Sequence, residues 1–320
     1  MSTETAAAPA ALVTRSNRWA WVRDYGVYVA LGAIFVYNAI FTPNFITLGN
    51  ANTQLVQVAP VVIVSLGMAL VIGSEGVDLS VGSVMAIAAA LLPLYLGYGF
   101  GVALLLAIVA GALAGLGNGV LVAFVDVQPI VATLALLVGG RGLALVLADG
   151  QLKQIKNPTL LSLGNSDLTI ILIAGVLSLT VGFLVRSTTF GRHLVAVGGN
   201  RTASRLAGLP VRRVLVLVYV ASGALAAIAG VLATARSQAS DPSSVGLLIE
   251  LAAITAVVVG GTPLSGGRVK VLGTVMGALL MQLITATLIK HNLPSSTTQI
   301  AQAGIILLAV YVQRGRGGGS

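Results

Sequence analysis

The stretch LGMALVIGSEGVDLSVGSVMAIAAAL (Leu66–Leu91) decides the fold class, because it places two apolar blocks on either side of one short polar break. The same alternation fills most of the 320 residues, of which 57% are hydrophobic and only 8% are charged. Soluble domains carry about 25% charged residues, whereas a bilayer-spanning helix needs about 20 mainly apolar residues. The sequence therefore predicts an all-α, polytopic membrane protein, and its 39 glycines suit helices that pack closely in lipid.

The apolar blocks predict a bundle of ten transmembrane helices. They are expected near 25–42, 50–73, 79–97, 100–125, 129–148, 167–186, 213–235, 246–261, 271–290 and 296–313. Within the second helix, Gln54, Gln57 and then Pro60 predict a break or kink. Residues 24–313 would form the transmembrane domain, between flexible tails at 1–23 and 314–320. The first tail lacks the apolar region of a cleaved signal peptide.

The distribution of positive charge predicts the orientation of this bundle. An even number of spans puts both termini on one side, and the side richer in Lys and Arg is cytoplasmic. With the N-terminus inside, thirteen of the 18 Lys and Arg residues fall in inside segments and four in outside segments, while Arg141 lies within the fifth span. The net charge of +9 is thus explained by cytoplasmic loops, and the chain has no nucleic-acid-binding motif.

Six of the basic residues lie in one loop, at 186–213, which overlaps the stretch VGGNRTASRLAGLPVRRV (Val197–Val214). Its local signals predict a short helix with Asn200 as N-cap, Gly208 in the left-handed position after it, and Pro210 preventing its continuation. Ala203, Leu206 and Ala207 would form a small apolar face. So short a helix is unstable alone in water. It must dock on its own bundle or on another protein, unless the loop is simply solvated.

Four segments, in this order, carry a family resemblance: Leu66–Leu91, Gly115–Gln151, Gly191–Arg213 and Glu250–Leu280. Together they resemble the membrane permease subunits of ribose/galactose-type ABC sugar importers of bacteria, over roughly residues 45–313. The QPIVATL segment (Gln128–Leu134) and the VYVQ ending (Val310–Gln313) are closer in wording to the galactofuranose branch than to the ribose branch. Two positions depart from the family pattern. Ala252 replaces an acidic residue, and Glu75-Gly76 replaces a Gly-Gly pair.

The resemblance implies a partner for the basic loop. In that family the corresponding loop, here 187–212, is similar to the coupling helix, which sits in a groove of the cytoplasmic ATPase. The residues that match this pattern are Gly198, Gly199, Asn200, Ala203, Arg205, Leu206 and Gly208. The implied assembly is a pair of permease subunits in the bacterial cell membrane, with two ATP-binding subunits inside and a sugar-binding protein outside. Its cargo would be a monosaccharide, either pentose or hexose, or a related polyol.

The chain itself carries no sign of catalysis. It has no G-x-x-x-x-G-K-[ST] loop to hold ATP phosphates, so partner subunits would hydrolyse the ATP. It has no cysteine, and its two histidines, His193 and His291, lie in separate segments. We therefore expect a transport subunit that is not an enzyme and that needs no cofactor or metal.

A neutral sugar needs a path lined by hydrogen-bonding groups, and polar residues within spans are candidates for it. The polar candidates are Asn118, Gln128, Thr133, Gln282, Gln299 and Gln302. The alternative for each is a hydrogen bond that only joins two helices. Arg141 and Glu250 are charged candidates, and they form a hypothetical Arg–Glu gate brace. Asp78, in VDLS, is expected to be the N-cap of the third helix.

Two other classes of function remain open from the sequence. An ion-gradient-driven secondary sugar transporter would need an intramembrane carboxylate, for which Glu250 is the best candidate. A membrane scaffold protein would transport no solute at all.

Overall fold

The computed structural model describes residues 18–294, 296–297, 300, 303–305 and 307, and within this part the chain is almost wholly helical. The helices are α1 (Arg18–Phe41), α2 (Leu48–Gly73), α3 (Val81–Tyr95, extended by a 3₁₀ turn, Leu96–Tyr98), α4 (Phe100–Ala123), α5 (Pro129–Leu147), α6 (Pro158–Asn165), α7 (Asp167–Ser187), α8 (Thr189–Gly199), α9 (Arg201–Leu206), α10 (Val211–Ser237), α11 (Ile249–Val259) and α12 (Val271–Lys290). Two short strands, β1 (Lys153–Gln154) and β2 (Ala239–Ser240), pair antiparallel. The predicted all-α membrane fold is confirmed.

Seven of the described helices are long and apolar enough to cross a membrane: α2, α3 with its 3₁₀ turn, α4, α5, α7, α10 and α12. Two shorter apolar helices, Tyr25–Phe41 and α11, complete a set that matches nine of the ten predicted spans. The predicted tenth span, 296–313, falls mostly outside the described residues, as do Gln299 and Gln302. Of the two alternatives predicted for the second span, the break is wrong, because α2 continues as an α-helix through Pro60.

Helix α10 lies at the centre of the bundle and packs most closely on α4. A Cβ atom at Gly115 of α4 would overlap the carbonyl oxygen of Tyr219, and one at Gly223 of α10 would overlap that of Gly111. These glycines therefore let the two backbones touch, as small residues do between membrane helices. The inner half of α2 fills the adjacent core, with Ile63, among others, fully buried.

Two of the helices begin near the middle of the bundle. Gly111 is the twelfth of the 24 residues of α4, and a Cβ there would lie 3.2 Å from a methyl group of Val84, in the first turn of α3. Helix α11 has eleven residues and is therefore only about 16 Å long. The non-helical segments 74–80 and 241–248 lead into α3 and α11 from opposite sides. They meet where a Cβ at Gly82 would overlap the carbonyl oxygen of Gly246.

Candidate coupling and translocation sites

The predicted short helix in the basic loop exists as α9, with the predicted caps. Asn200 is its N-cap, and its side-chain oxygen accepts a hydrogen bond of 2.8 Å from the amide of Ala203. Gly208 has a left-handed φ of 76°. The amides of Gly208 and Leu209 close the last turn with the two hydrogen bonds of a Schellman motif, each 3.0 Å long.

The apolar face of α9 points away from the bundle. Leu206 is 85% exposed, and Ala203 and Ala207 are exposed as well. Ser204 is the buried residue of this helix. Of the two docking surfaces that the sequence left open, the protein's own bundle is therefore not the one that covers this face.

The preceding helix, α8, is attached firmly to the bundle. Leu194 and Val197 are fully buried, and α8 packs on α2, α7 and α10. Thr188 caps its first turn by accepting a hydrogen bond from the amide of Gly191. Because α8 is packed on the bundle and α9 follows it after a single residue, a force applied to α9 reaches the bundle through α8.

Three glycines from three separate segments meet beneath α8, and we call this contact the glycine seam: Gly73, Gly198 and Gly267. The amide of Gly267 donates a 3.0 Å hydrogen bond to the carbonyl of Gly73. A Cβ at Gly198 would overlap that same carbonyl oxygen and lie 2.8 Å from the Gly267 amide nitrogen. Gly267 has a φ of 74°, which also favours glycine. The seam joins the end of α8 to the segments 74–80 and 260–270.

Arg201 adds a polar contact beside the seam. Its guanidinium donates hydrogen bonds of 3.0 and 3.2 Å to the carbonyls of Ser74 and Glu75. Its Nε also lies 3.8 Å from the Glu75 carboxylate. This ion pair is partly exposed and thus worth at most about 1 kcal/mol. The bonds to the two carbonyls fix where α9 sits against the segment 74–80.

Asp78 is almost fully buried and organises the segment that leads into α3. Its carboxylate accepts hydrogen bonds from the amide of Ser80 (3.0 Å), the hydroxyl of Ser80 (2.6 Å) and the hydroxyl of Ser222 (2.7 Å). Asn118 donates to the hydroxyl of Ser80 at 2.9 Å. The expectation that Asp78 is the N-cap of this helix is wrong, because Ser80 occupies that position. Asp78 orients the segment before the helix.

Two of the predicted path residues hold this same segment. Thr133 is fully buried, and its hydroxyl lies 2.9 Å from the carbonyl of Pro129 in its own helix and 3.3 Å from that of Val77. Asn118 reaches Ser80, as described above. Both residues thus form a bond between elements of the bundle, as in the alternative to lining the path. Gln128 is exposed immediately before α5 and makes no capping bond.

Arg141 and Glu250 lie near one another without forming the hypothetical ion-pair brace. Arg141 instead donates hydrogen bonds of 2.8 and 2.6 Å to the carbonyls of Pro242 and Val245. The ion pairs among the described residues do not include Arg141 with Glu250. Arg141 thus fixes the segment that leads into α11, much as Asp78 fixes the one that leads into α3.

A glutamine cluster joins α2 and α12. The side-chain amide of Gln282 donates to Gln54 at 3.0 Å and to Gln57 at 2.8 Å. Closer to the outer end of the same two helices, Lys290 donates to Asn50 at 2.9 Å. Gln57 is exposed on the surface of the chain. The spacing of three residues between Gln54 and Gln57 places them on one face of a helix, which is the sequence signal for this cluster.

Comparison with known proteins identifies the relatives of this chain. Residues 50–310 match the family model described as branched-chain amino acid transport system / permease component. The galactofuranose transporter permease protein YtfT of Escherichia coli is 37% identical, with 95% of this chain and 93% of that protein covered. The fructose import permease protein FruF of Bifidobacterium longum is 35% identical (89% and 86% covered), and the ribose import permease protein RbsC of Escherichia coli is 34% identical (92% and 94% covered). No solved structure gives a significant match.

Proposed function

This chain belongs to the branched-chain amino acid transport system / permease component family, and we propose that it is the membrane permease subunit of an ATP-driven importer of a monosaccharide. The curated relatives described above are permease proteins for galactofuranose, fructose and ribose, and they align over nearly their whole lengths. The protein is accordingly a multi-pass protein of the bacterial inner membrane. Its cargo belongs to the class that these sugars share.

The observation that carries the proposal is the outward-facing apolar side of α9. An isolated helix of six residues gains too little from its own hydrogen bonds to be stable in water. Here it is capped at both ends, carried on the buried helix α8, and left with Leu206 85% exposed. A cytoplasmic ATP-binding subunit with an apolar groove would cover this face. Arg205, which is exposed beside it, would pair with an acidic rim of that groove.

The glycine seam supplies a route from α9 into the membrane. Motion of α8 against Gly73 would be passed at Gly198 to the backbone of Gly267, which lies in the segment between α11 and α12. Two states of the ATP-binding subunits that bind α9 differently would thus shift the bundle between outward-open and inward-open states. An extracytoplasmic binding protein would deliver the sugar to the outward-open state.

The glutamine cluster is the best candidate for the sugar path. Gln54, Gln57 and Gln282 bring amide groups to a partly exposed face within the spans, and an amide facing lipid would be costly. We infer that this face lies against a second permease subunit and that the path runs between the two. Amides donate and accept hydrogen bonds without a fixed charge, which suits sugar hydroxyls that must bind and then leave.

The test is to disrupt the exposed face of α9 while leaving the fold intact. The double variant Ala203→Asp/Leu206→Asp places two carboxylates on a surface that the bundle does not use. We expect it to fold normally, to lose co-purification of the ATP-binding subunit in mild detergent, and to lose ATP-dependent uptake of sugar into vesicles. The matched control is Val125→Asp, which changes a residue that is 61% exposed in another cytoplasmic connection, between α4 and α5.

Two results would contradict the proposal. One is normal ATPase recovery by the double variant. The other is uptake by the wild-type protein that an uncoupler abolishes while ATP is held constant, which would instead indicate a gradient-driven carrier.

A further inference from the structure

A large cleft separates α7 from α12 over the surface of α2, and Tyr25 and Tyr28 of α1 close one of its ends. Its volume is about 1310 Å³. The described polar path candidates (Asn118, Gln128, Thr133 and Gln282) do not line it. The cleft is thus separate from the candidate sugar path, while Val195 of α8 and residues 268–270 form part of its lining.

The body of the cleft is long and apolar. On α7 its lining extends from Ile171 to Ser187, a rise of about 24 Å along the helix. Most of its other walls are aliphatic, including Val58 of α2 and Val275 of α12. An apolar slot of this kind has few groups that could hydrogen-bond a sugar, but it offers continuous contact to a hydrocarbon chain.

The cleft opens sideways, toward the bilayer. Leu179 and Phe183 of α7 are 75% and 63% exposed, and Leu272 of α12 is 61% exposed, although all three line it. Gly175 adds to the open space, because a Cβ atom there would meet nothing within 4 Å. A molecule dissolved in the membrane can therefore enter without crossing an aqueous phase.

The cytoplasmic end of the cleft is basic. Arg186, at the end of α7, lines it together with Arg268 and Lys270, which lead into α12. Tyr25 and Tyr28 line the same end, at the level where amphipathic rings lie at membrane interfaces. None of the described lining residues is acidic. The cleft thus combines an apolar body with a cationic end at headgroup level.

From this combination we propose that the cleft binds an anionic phospholipid of the cytoplasmic leaflet, with acyl chains along α7 and the headgroup between Arg186, Arg268 and Lys270. Basic pockets between helices on the cytoplasmic side are known to bind anionic headgroups. The acyl chains would fill the slot between α7 and α12 and support α12 against α2. The site shares no residue with the glutamine cluster or with α9, so a failure of the proposed function would leave it standing.

The experiment uses the absence of cysteine from the sequence to place one label at a time. A fluorescent label at Ser178→Cys lies in the cleft, and a label at Val176→Cys lies on an exposed, non-lining face of the same helix. The full-length protein is reconstituted in vesicles of phosphatidylcholine to which phosphatidylglycerol with brominated acyl chains is added. We expect saturable quenching at position 178 by the brominated anionic lipid, in preference to brominated phosphatidylcholine. At position 176 the two lipids should quench equally.

Two variants in the Ser178→Cys background test the two halves of the site. Arg186→Gln/Arg268→Gln/Lys270→Gln should weaken the preference for the anionic lipid by about a hundredfold, at roughly fivefold per basic residue near the headgroups. Gly175→Leu fills the slot while leaving the charges in place, and it should remove the saturable quenching. Arg192→Gln/Arg213→Gln, which changes charges on the same side outside the cleft, should leave the preference unchanged.

Three results would overturn the proposal. They are equal quenching of the Ser178→Cys label by both lipids, an undiminished preference in the triple variant, and no quenching at all at position 178. The last would mean that another part of the chain fills the cleft. If the triple variant fails to fold, the Gly175→Leu variant decides alone.

Discussion

The two non-helical breaks that meet at the glycine seam, 74–80 and 260–270, are similar in sequence but are held in very different ways. The first is bonded to four other helices. Asp78 binds Ser222 of α10, Asn118 of α4 binds Ser80, Thr133 of α5 lies against Val77, and Arg201 of α9 holds the carbonyls at its start.

The second break carries a hydrogen bond between its own two ends. The buried hydroxyl of Thr262 accepts a 2.9 Å hydrogen bond from the amide of Lys270, at the far end of the same break. Gly261, Gly266 and Gly267 take left-handed φ values between 73° and 88°. Its described backbone link to the first break is the bond from Gly267 to Gly73.

This difference indicates which of the two breaks moves during transport. A segment bonded to four helices cannot shift without disturbing the whole bundle, whereas a loop with three glycines at left-handed φ values can pivot at those glycines. We infer that the first break is the fixed frame of the transport cycle. The second break, together with α11 and α12, is the element that follows α8.

The largest loss of stability should come from removing the carboxylate of Asp78, which lies at the centre of the first break. Asp78→Ala leaves the amide and hydroxyl of Ser80 and the hydroxyl of Ser222 without their acceptor inside the bundle. We expect this change to lower the free energy of unfolding by about 4 kcal/mol. Its counterpart, Thr262→Val, keeps the side-chain shape and leaves one amide unpaired, at a cost of about 1–2 kcal/mol.

Thermal unfolding of the two variants in the same mild detergent measures this contrast. Equal losses of stability would show that the two breaks are held equally well, and the distinction between frame and moving element would fail.

An intermediate loss of stability is expected at Gly198, where both breaks touch α8. Gly198→Ala forces a methyl group against the Gly73 carbonyl and the Gly267 amide, and overpacking of this kind costs about 1–3 kcal/mol. The neighbouring Gly199→Ala meets open space and should be neutral or slightly stabilising. The measurement is the transport rate per ATP hydrolysed by the reconstituted importer. It should fall for Gly198→Ala in folded protein, and unchanged coupling would exclude the seam as the route of transmission.

The smallest expected change in the free energy of unfolding is at Glu75, and it is a stabilisation. Glu75 has a left-handed φ of 67°, which costs a residue with a Cβ about 1 kcal/mol. Glu75→Gly relieves this strain but loses the partly exposed ion pair with Arg201, so the net change should be a stabilisation of less than about 1 kcal/mol. A double-mutant cycle with Arg201→Gln isolates the ion pair. A clear destabilisation by Glu75→Gly alone would mean that the pair outweighs the strain.

The sequence predicts those features that depend on neighbouring residues. Helix α12 occupies the predicted residues, 271–290, because a mainly apolar run of helical length is bounded by Lys270 on one side and by Lys290 and His291 on the other. Asn200 and Gly208 act as predicted, since a cap needs only a few residues of context. These are local properties of the chain.

The unpredicted features depend on contacts between distant residues. Arg141 lies 101 and 104 residues from the carbonyls that it binds, and Gln282 lies more than 220 residues from Gln54 and Gln57. Composition cannot show which of several acceptors an arginine reaches. Likewise, a polar residue within a span has the same signature whether it lines a path or, like Asn118, holds a neighbouring segment.

The shortness of α11 has a consequence for how the protein is made. Eleven residues reach about halfway across a hydrocarbon core of roughly 30 Å, so this segment cannot be inserted as an independent span. It packs on α2, which is synthesised early, and on α12, which is synthesised later. During membrane insertion, α11 must therefore wait for the synthesis of α12 before it reaches its final position. A chain that ends before α12 would lack one of the two helices on which α11 packs.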